Sequence, residues 1–172
     1  MASLMENLIE VLGRECEEYE GLLSLSQKKT QIIAGGDLEE LQKITEDEQD
    51  LVSRVSNLDK KRVEVTADIA NVLNKDVETM KLPKLIEMMA ARPAEQAKLA
   101  EVHDRLQRAV RELQRVNEQN RELLVDALEM VEFEMNLLQS MKAAPETANY
   151  TRNAYNSGSQ MGVTSGNFDA KQ

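Results

Sequence analysis

Aromatic residues are scarce in this chain. They make up 3% of its 172 residues, tryptophan is absent, and two phenylalanines and three tyrosines form the whole set. The apolar core must therefore come from Leu, Ile, Val and Met. Straight-chain residues lose little rotamer freedom in a helix, so this composition with helical periodicity favours long helices in a slender bundle.

Cysteine and histidine are each present once, as Cys16 and His103. A lone cysteine forms no disulfide within the chain, and a lone histidine excludes a metal site with two His ligands. Cys16 falls among apolar positions, where a thiol behaves as a small inert hydrophobe, whereas His103 lies among charged residues and is expected to be solvated. The carboxylates alternate with Lys and Arg and lack the Glu-x-x-His pairs of a di-iron site. We therefore expect no enzyme, no catalytic residue, no metal and no cofactor.

Long apolar runs and an excess of basic charge are also missing. The formal net charge is -10 and the pI is near 4.7, so nucleic acid and anionic lipid are not expected partners. No apolar run approaches the roughly 18 residues of a membrane span, and no secretory signal is recognisable at the N-terminus. These features predict a cytoplasmic protein without stable membrane insertion.

Three long segments show apolar residues every three or four positions, at about 3–34, 38–73 and 94–142. Between the first two, Gly35 predicts a left-handed helix end, and Asp37 with Glu40 predicts the start of the next helix. A phosphate-binding loop would need a preceding strand and a basic residue, which this turn lacks.

A short helix is predicted at about 82–90, because Pro83 suits a first helical turn and Pro93 disfavours helix before it. Its apolar residues predict a lid over one end of the bundle, although methionine also suits an adaptable contact surface. The fold prediction is therefore all-α: an elongated antiparallel helical bundle or coiled coil of three long helices, with a short connecting helix and a flexible C-terminal tail.

The domain prediction places a helical domain at 1–142 and a tail at 143–172. The tail is rich in Asn, Ser, Thr and Gly and has no helical period, which predicts disorder in isolation. Tyr150 and Tyr155 are two of its three aromatic residues. They indicate either anchors of a short binding motif or ordinary residues of a flexible tail.

Polar residues interrupt the apolar seams at three points. Glu48 and Arg62 fall on the seam of the second helix, where they either pair with neighbours or mark a wet position. Asn120 falls on the seam of the third, where a buried amide can set register or oligomeric state.

The last third of the long helix has an apolar arc covering more than half its circumference. One stripe continues the seam through Leu123, Ala127, Met130, Leu137 and Met141, and the second lies about 100° away. The second stripe consists of Leu124, Leu128, Val131, Met135 and Leu138, with Phe133 on the opposite flank. Three explanations are open: neighbours on both sides, pairing of two chains in a homodimer, or a groove for a partner's amphipathic helix.

Three motifs in this order resemble the FlgN-like family of bacterial flagellar export chaperones, over about 8–138. They are the first hairpin with the Asp-Leu-Glu-Glu-Leu start of its second helix, LPKLIEMM (82–89), and LQRVNEQNRELLVDALEMVEFEMNLL (113–138). The last motif carries these residues at matching places: Asn117, Asn120, Leu123, Leu124, Leu128 and Phe133. At position 127 this chain has Ala, where family members often have a small residue with a hydroxyl group.

The resemblance implies a cytoplasmic chaperone for hook–filament junction proteins. It would bind the client's C-terminal helix, prevent premature assembly and deliver the client to the flagellar type III export gate. The second stripe and Phe133 then become the client groove, and Tyr150 and Tyr155 the gate-docking residues. One alternative is a structural coiled-coil adaptor that self-associates through its apolar face. Another is a four-helix carboxylate metalloenzyme, but the single histidine argues against it.

Overall fold

The computed structural model describes residues 2–143, and every regular element in that range is helical. The long helices are α1 (Ala2–Gly35), α2 (Leu38–Val72) and α4 (Pro93–Ala143), and the short helix is α3 (Leu82–Met88). Two 3₁₀ turns, Val77–Thr79 and Met89–Ala91, flank α3. The all-α prediction is confirmed, and the helix bounds lie within about two residues of those expected from periodicity. The tail predicted at 143–172 lies almost entirely outside the described residues, so that domain boundary stays a prediction.

The chain divides into two compact units, one ending at Glu129 and the other beginning at Met130. The first unit contains the hairpin, the connector and most of α4. The second is described here from Met130 to Ala143, the last turns of α4.

The turn between α1 and α2 contains only two residues outside the helices. Gly36, with φ of 69°, takes the left-handed conformation, and its N–H donates to the carbonyl oxygen of Ile32 at 3.0 Å. The left-handed residue is therefore Gly36 and not the predicted Gly35, which ends α1. Asp37 caps α2 as predicted, since its carboxylate accepts from the Glu40 N–H at 3.0 Å.

Polar pairs show how the long helices run. Between α1 and α2, Glu15 contacts Arg62 and Lys29 contacts Glu48, so the pairs converge on the turn and these helices are antiparallel. Between α1 and α4, the separation in sequence stays nearly constant, from 85 for Glu20–Arg105 to 90 for Thr30–Asn120. Because both partners advance together, α1 and α4 run parallel, which is the up-down-up order of a three-helix bundle.

The main apolar core lies where α3 and its flanking turns join α2 to α4. The lid prediction is confirmed, because Leu85 and Met89 are buried there with residues of all three long helices. The core residues are Met5, Leu8, Leu12, Val65, Ile69, Ala70, Met80, Leu85, Met89 and Leu99. Full burial of one Leu- or Met-sized side chain stabilises by about 1.5–3 kcal/mol, so this cluster anchors the first unit.

Candidate partner-binding groove

A groove of about 570 Å³ opens in the first unit, on the turn side of the core. All three long helices line it, and its most buried lining residues include Leu22 and Ser26 of α1. Val52 of α2 and Val125 and Leu128 of α4 line it as well, yet remain about half exposed or more. The buried side chains of α1 therefore form the floor, and the exposed apolar side chains of α2 and α4 form the rims.

Helical periodicity explains why the walls are apolar. Val52 and Val55 are three positions apart on α2, and Leu124 and Leu128 are four apart on α4, so each pair shares one helix face. Tyr19 of α1 also lines the groove. Parallel rows of apolar side chains on two helices, with a third helix beneath them, match the footprint of an amphipathic helix.

A polar cluster lies among the apolar residues that line this groove. Lys29 Nζ lies 2.6 Å from Glu48 Oε2, and their side chains are 18% and 16% exposed. The Ser26 hydroxyl lies 3.1 Å from Glu48 Oε1 and 2.9 Å from Asn117 Oδ1. Glu48 therefore has two partners on α1, so of the two interpretations of this seam interruption the structure shows the pairing with neighbours.

Asn120 is buried beneath the groove between α1 and α4. Its Nδ2 donates to the Ser26 carbonyl oxygen at 2.8 Å, and its Oδ1 accepts from the Thr30 hydroxyl at 2.6 Å. Because a shift of α4 by one turn would separate these groups, the amide fixes the register of α4 on α1, as expected from its seam position.

Two further ion pairs hold the helices around the groove. Arg62 Nε donates to Glu15 Oε1 at 3.1 Å, and Glu15 is only 2% exposed. Burial raises the pKa of the Glu15 carboxyl, and the Arg62 charge opposes this rise. Arg105 donates two hydrogen bonds to Glu20, at 2.7 and 2.6 Å, and these bonds lower the pKa of Glu20.

The two residues with the most reactive side chains lie outside the groove. Cys16 is buried, its thiol donates to the Val102 carbonyl oxygen at 3.5 Å, and burial raises its pKa. His103 is half-buried, with Nδ1 3.1 Å from Asp104 Oδ1, so it is less solvated than expected. Within residues 2–143, no three His, Cys, Asp or Glu side chains cluster as metal ligands would.

The second unit, taken by itself, is a run of helical turns with exposed apolar side chains. Phe133 is 67% exposed and Met141 is also 67% exposed. The other exposed apolar residues are Met130, Val131, Met135, Leu137 and Leu138. The predicted seam through Met130, Leu137 and Met141 is therefore uncovered in the described structure. Along the seam of α4, Asn120 is the last buried residue, and Leu123 is half-buried.

The predicted partner-binding residues fall into three groups. Leu124 and Leu128 line the groove of the first unit. Val131, Phe133, Met135 and Leu138 are exposed residues of the second unit. Tyr150 and Tyr155 lie outside the described residues.

Sequence reasoning missed six apolar residues that line the groove: Tyr19, Leu22, Val52, Val55, Leu113 and Val125. Four of them, Tyr19, Leu22, Val55 and Leu113, belong to the apolar seams of their helices, so periodicity alone does not distinguish them from core residues. Val52 and Val125 carried a weak signal, because Val52 adjoins the seam residue Leu51 and Val125 adjoins the second-stripe residue Leu124.

Comparison with known proteins gives a family. A family model described as "FlgN protein" matches residues 1–158. A Bacillus subtilis (strain 168) protein described as "Uncharacterized protein YvyG" is 27% identical over 131 residues, covering 76% of this chain and 78% of that protein. No solved structure matches significantly. With three long helices carrying the motifs in order and a family match over nearly the whole sequence, the chain belongs to the FlgN family of flagellar export chaperones.

Proposed function

We propose that this chaperone binds the C-terminal amphipathic helix of hook–filament junction proteins in the groove over α1. The observation that carries the proposal is the open apolar groove itself, with Leu124 and Leu128 on one rim and Val52 on the other. A helix placed there would cover side chains that water now surrounds, and it would add a fourth helix to three. Full burial of one Leu-sized side chain contributes about 1.5–3 kcal/mol before ordering costs, which suits binding that must later be reversed.

The four other predicted client contacts are proposed separately, because they belong to the second unit. Val131, Phe133, Met135 and Leu138 are apolar and exposed, and the client is a partner that would cover them. Covering a client's assembly helix would prevent its premature assembly. The groove lining includes neither cysteine nor histidine, so we propose a binding role without catalysis.

Delivery to the flagellar type III export gate is the second half of the proposed role, with Tyr150 and Tyr155 as the docking residues. It operates in the cytoplasm, where clients are made. Among the described residues, no helix has the length and apolar character needed to cross a bilayer. Replacing both tyrosines by Ala is expected to abolish binding to the soluble part of the gate while client binding is retained.

Client binding is tested by titrating the full chain with C-terminal peptides of hook–filament junction proteins in a calorimeter. Leu128→Asp should weaken binding at least tenfold, because a loss of about 1.4 kcal/mol corresponds to a factor of ten. Leu38→Asp is the matched control, since Leu38 is 79% exposed and lies at the start of α2, outside the groove lining. Equal affinities of the two variants, with helicity unchanged in both, would refute the groove. Phe133→Asp tests the second unit in the same way.

A structural adaptor is the second candidate function, and the exposed apolar side chains of the second unit favour it. It predicts a homodimer that forms at micromolar concentration without any client and dissociates in Phe133→Asp. Sedimentation equilibrium distinguishes the two roles. A monomer that binds the client peptides saturably supports the chaperone, and a stable dimer without peptide binding supports the adaptor.

A further inference from the structure

The polar cluster of Ser26, Lys29, Glu48 and Asn117 lies within a groove whose other lining residues are apolar except for Asn120 and Arg121. It joins three helices, since the first two residues are on α1, Glu48 is on α2 and Asn117 is on α4. All four side chains line the groove, so any helix seated there passes over them.

The cluster has hydrogen-bonding capacity beyond its internal bonds. The Lys29 ammonium has three N–H groups, and among residues 2–143 Glu48 is the side chain that accepts from it. The Ser26 hydroxyl has one proton and two neighbouring acceptors, the Glu48 carboxylate and the Asn117 amide oxygen, so one of these acceptors keeps capacity for another donor. Water reaches these groups while the groove is open. A wholly apolar helix would displace that water and leave polar groups buried without partners, which is unfavourable.

Charge decides which side chain complements the cluster. Lys29 and Glu48 neutralise each other at 2.6 Å, so the site offers both a donor and an acceptor with little net charge. An incoming carboxylate would be attracted by Lys29 but repelled by Glu48, and an incoming cation the reverse, so a full charge gains little net attraction from the pair. An uncharged amide both donates and accepts, so it can bond to the ammonium and to the carboxylate at once.

We propose that the groove selects an amphipathic helix whose apolar face is interrupted by one Asn or Gln, and that the cluster sets the register of that helix. This inference rests on the proposed function, because it assumes that the groove binds a helix. A single polar residue on an apolar seam has the same effect in coiled coils, where it fixes alignment at some loss of affinity. Ser26, Lys29, Glu48 and Asn117 are then the residues that determine specificity, while the apolar rims supply affinity.

Two synthetic amphipathic peptides test the proposal. They are identical except at the central position of the apolar face, which is Leu in one and Gln in the other. Calorimetric titration of the full chain should show the Gln peptide binding about tenfold more tightly, a difference of about 1.4 kcal/mol. Equal affinities, or tighter binding of the Leu peptide, would overturn the inference and leave the proposed function standing. Failure of both synthetic peptides to bind, while the client peptides bind, would overturn the inference alone, and failure of the client peptides as well would overturn both.

Variants of the chaperone test the assignment to these residues. Lys29→Met combined with Glu48→Leu removes both charges together and should reverse the preference, so that the Leu peptide binds more tightly. The matched control is Lys28→Met with Glu46→Leu, the same exchange at two exposed positions outside the groove lining, and it should keep the wild-type preference. Because the first pair also links α1 to α2, Asn117→Leu is a second variant that leaves this link intact. It should reduce the preference for Gln, and an unchanged preference in both groove variants would contradict the proposal.

Discussion

Replacing Arg62 by Met removes the partner of a buried carboxylate. Glu15 is 2% exposed, and Arg62, whose side chain is 32% exposed, donates to it from α2 at 3.1 Å. Breaking a fully buried ion pair by removing one partner costs about 3–5 kcal/mol, whereas an exposed pair contributes about 0–1 kcal/mol. Because Arg62 is partly solvated and is also shared with Asp59, we expect Arg62→Met to lower the free energy of unfolding by about 2–3 kcal/mol.

The dependence on pH gives this prediction a distinctive signature. Burial raises the folded-state pKa of Glu15 above its unfolded value, and Arg62 opposes the rise. A raised pKa means that the protonated carboxyl favours folding, a contribution present below the unfolded pKa and lost as pH rises through the folded pKa. Without Arg62 the folded pKa rises further. The stability difference between wild type and variant should therefore shrink as pH falls from 7 towards 4.

Urea unfolding followed by circular dichroism measures both effects. Arg54→Met is the matched control, because Arg54 also pairs from α2 to α1, with Glu18 at 3.3 Å, but its side chain is 59% exposed. The control should lose less than about 1 kcal/mol at every pH. A loss in Arg62→Met equal to that of the control, or a loss that does not change with pH, would refute the reasoning about Glu15. Adding Glu15→Gln to Arg62→Met should recover part of the stability.

Three further predictions concern the packing of α1. Asn120→Ala removes two buried hydrogen bonds to α1 and should lower the free energy of unfolding by about 1–3 kcal/mol, measured by urea unfolding. Gly13→Ala should stabilise the protein by up to about 1 kcal/mol, because its new Cβ meets open space. Gly21→Ala should stabilise it less, because its Cβ would lie 2.8 Å from Leu51 Cδ2. Thermal unfolding of the two variants measures the difference. Cys16 should react slowly with a thiol reagent in the native protein and rapidly in urea, because burial both covers the thiol and raises its pKa; a fast native reaction would contradict this.

Local signals predicted the helices well. The Asp37 carboxylate bonds to the backbone three residues later, and the Pro83 ring fixes its own φ, so both mark helix starts whatever packs around them. The choice between Gly35 and Gly36 was less determined, because either glycine tolerates the left-handed conformation and α1 simply continues for one more residue.

The groove could be predicted only in part. Periodicity identified Leu124 and Leu128 as members of an apolar stripe, because that property belongs to one helix. Whether α2 stands close enough to cover them depends on packing between helices, which the pattern of a single helix does not contain. Val52 and Val55 were therefore missed as the opposite wall. Likewise, periodicity shows that Met130 and Met141 are apolar but not whether a neighbouring helix covers them.

The position of the main core at the connector side has a consequence for motion in the first unit. Amide protons near Leu85 and Leu99 should exchange with deuterium only when the whole unit opens, since those turns surround the densest apolar contacts. Turns beside the groove, around Val52 and Leu124, have one side towards solvent and should exchange through smaller, faster openings. A helix bound in the groove would slow amide exchange at the groove turns far more than at the connector. The backbone amides would therefore report whether the groove is occupied, without any attached label.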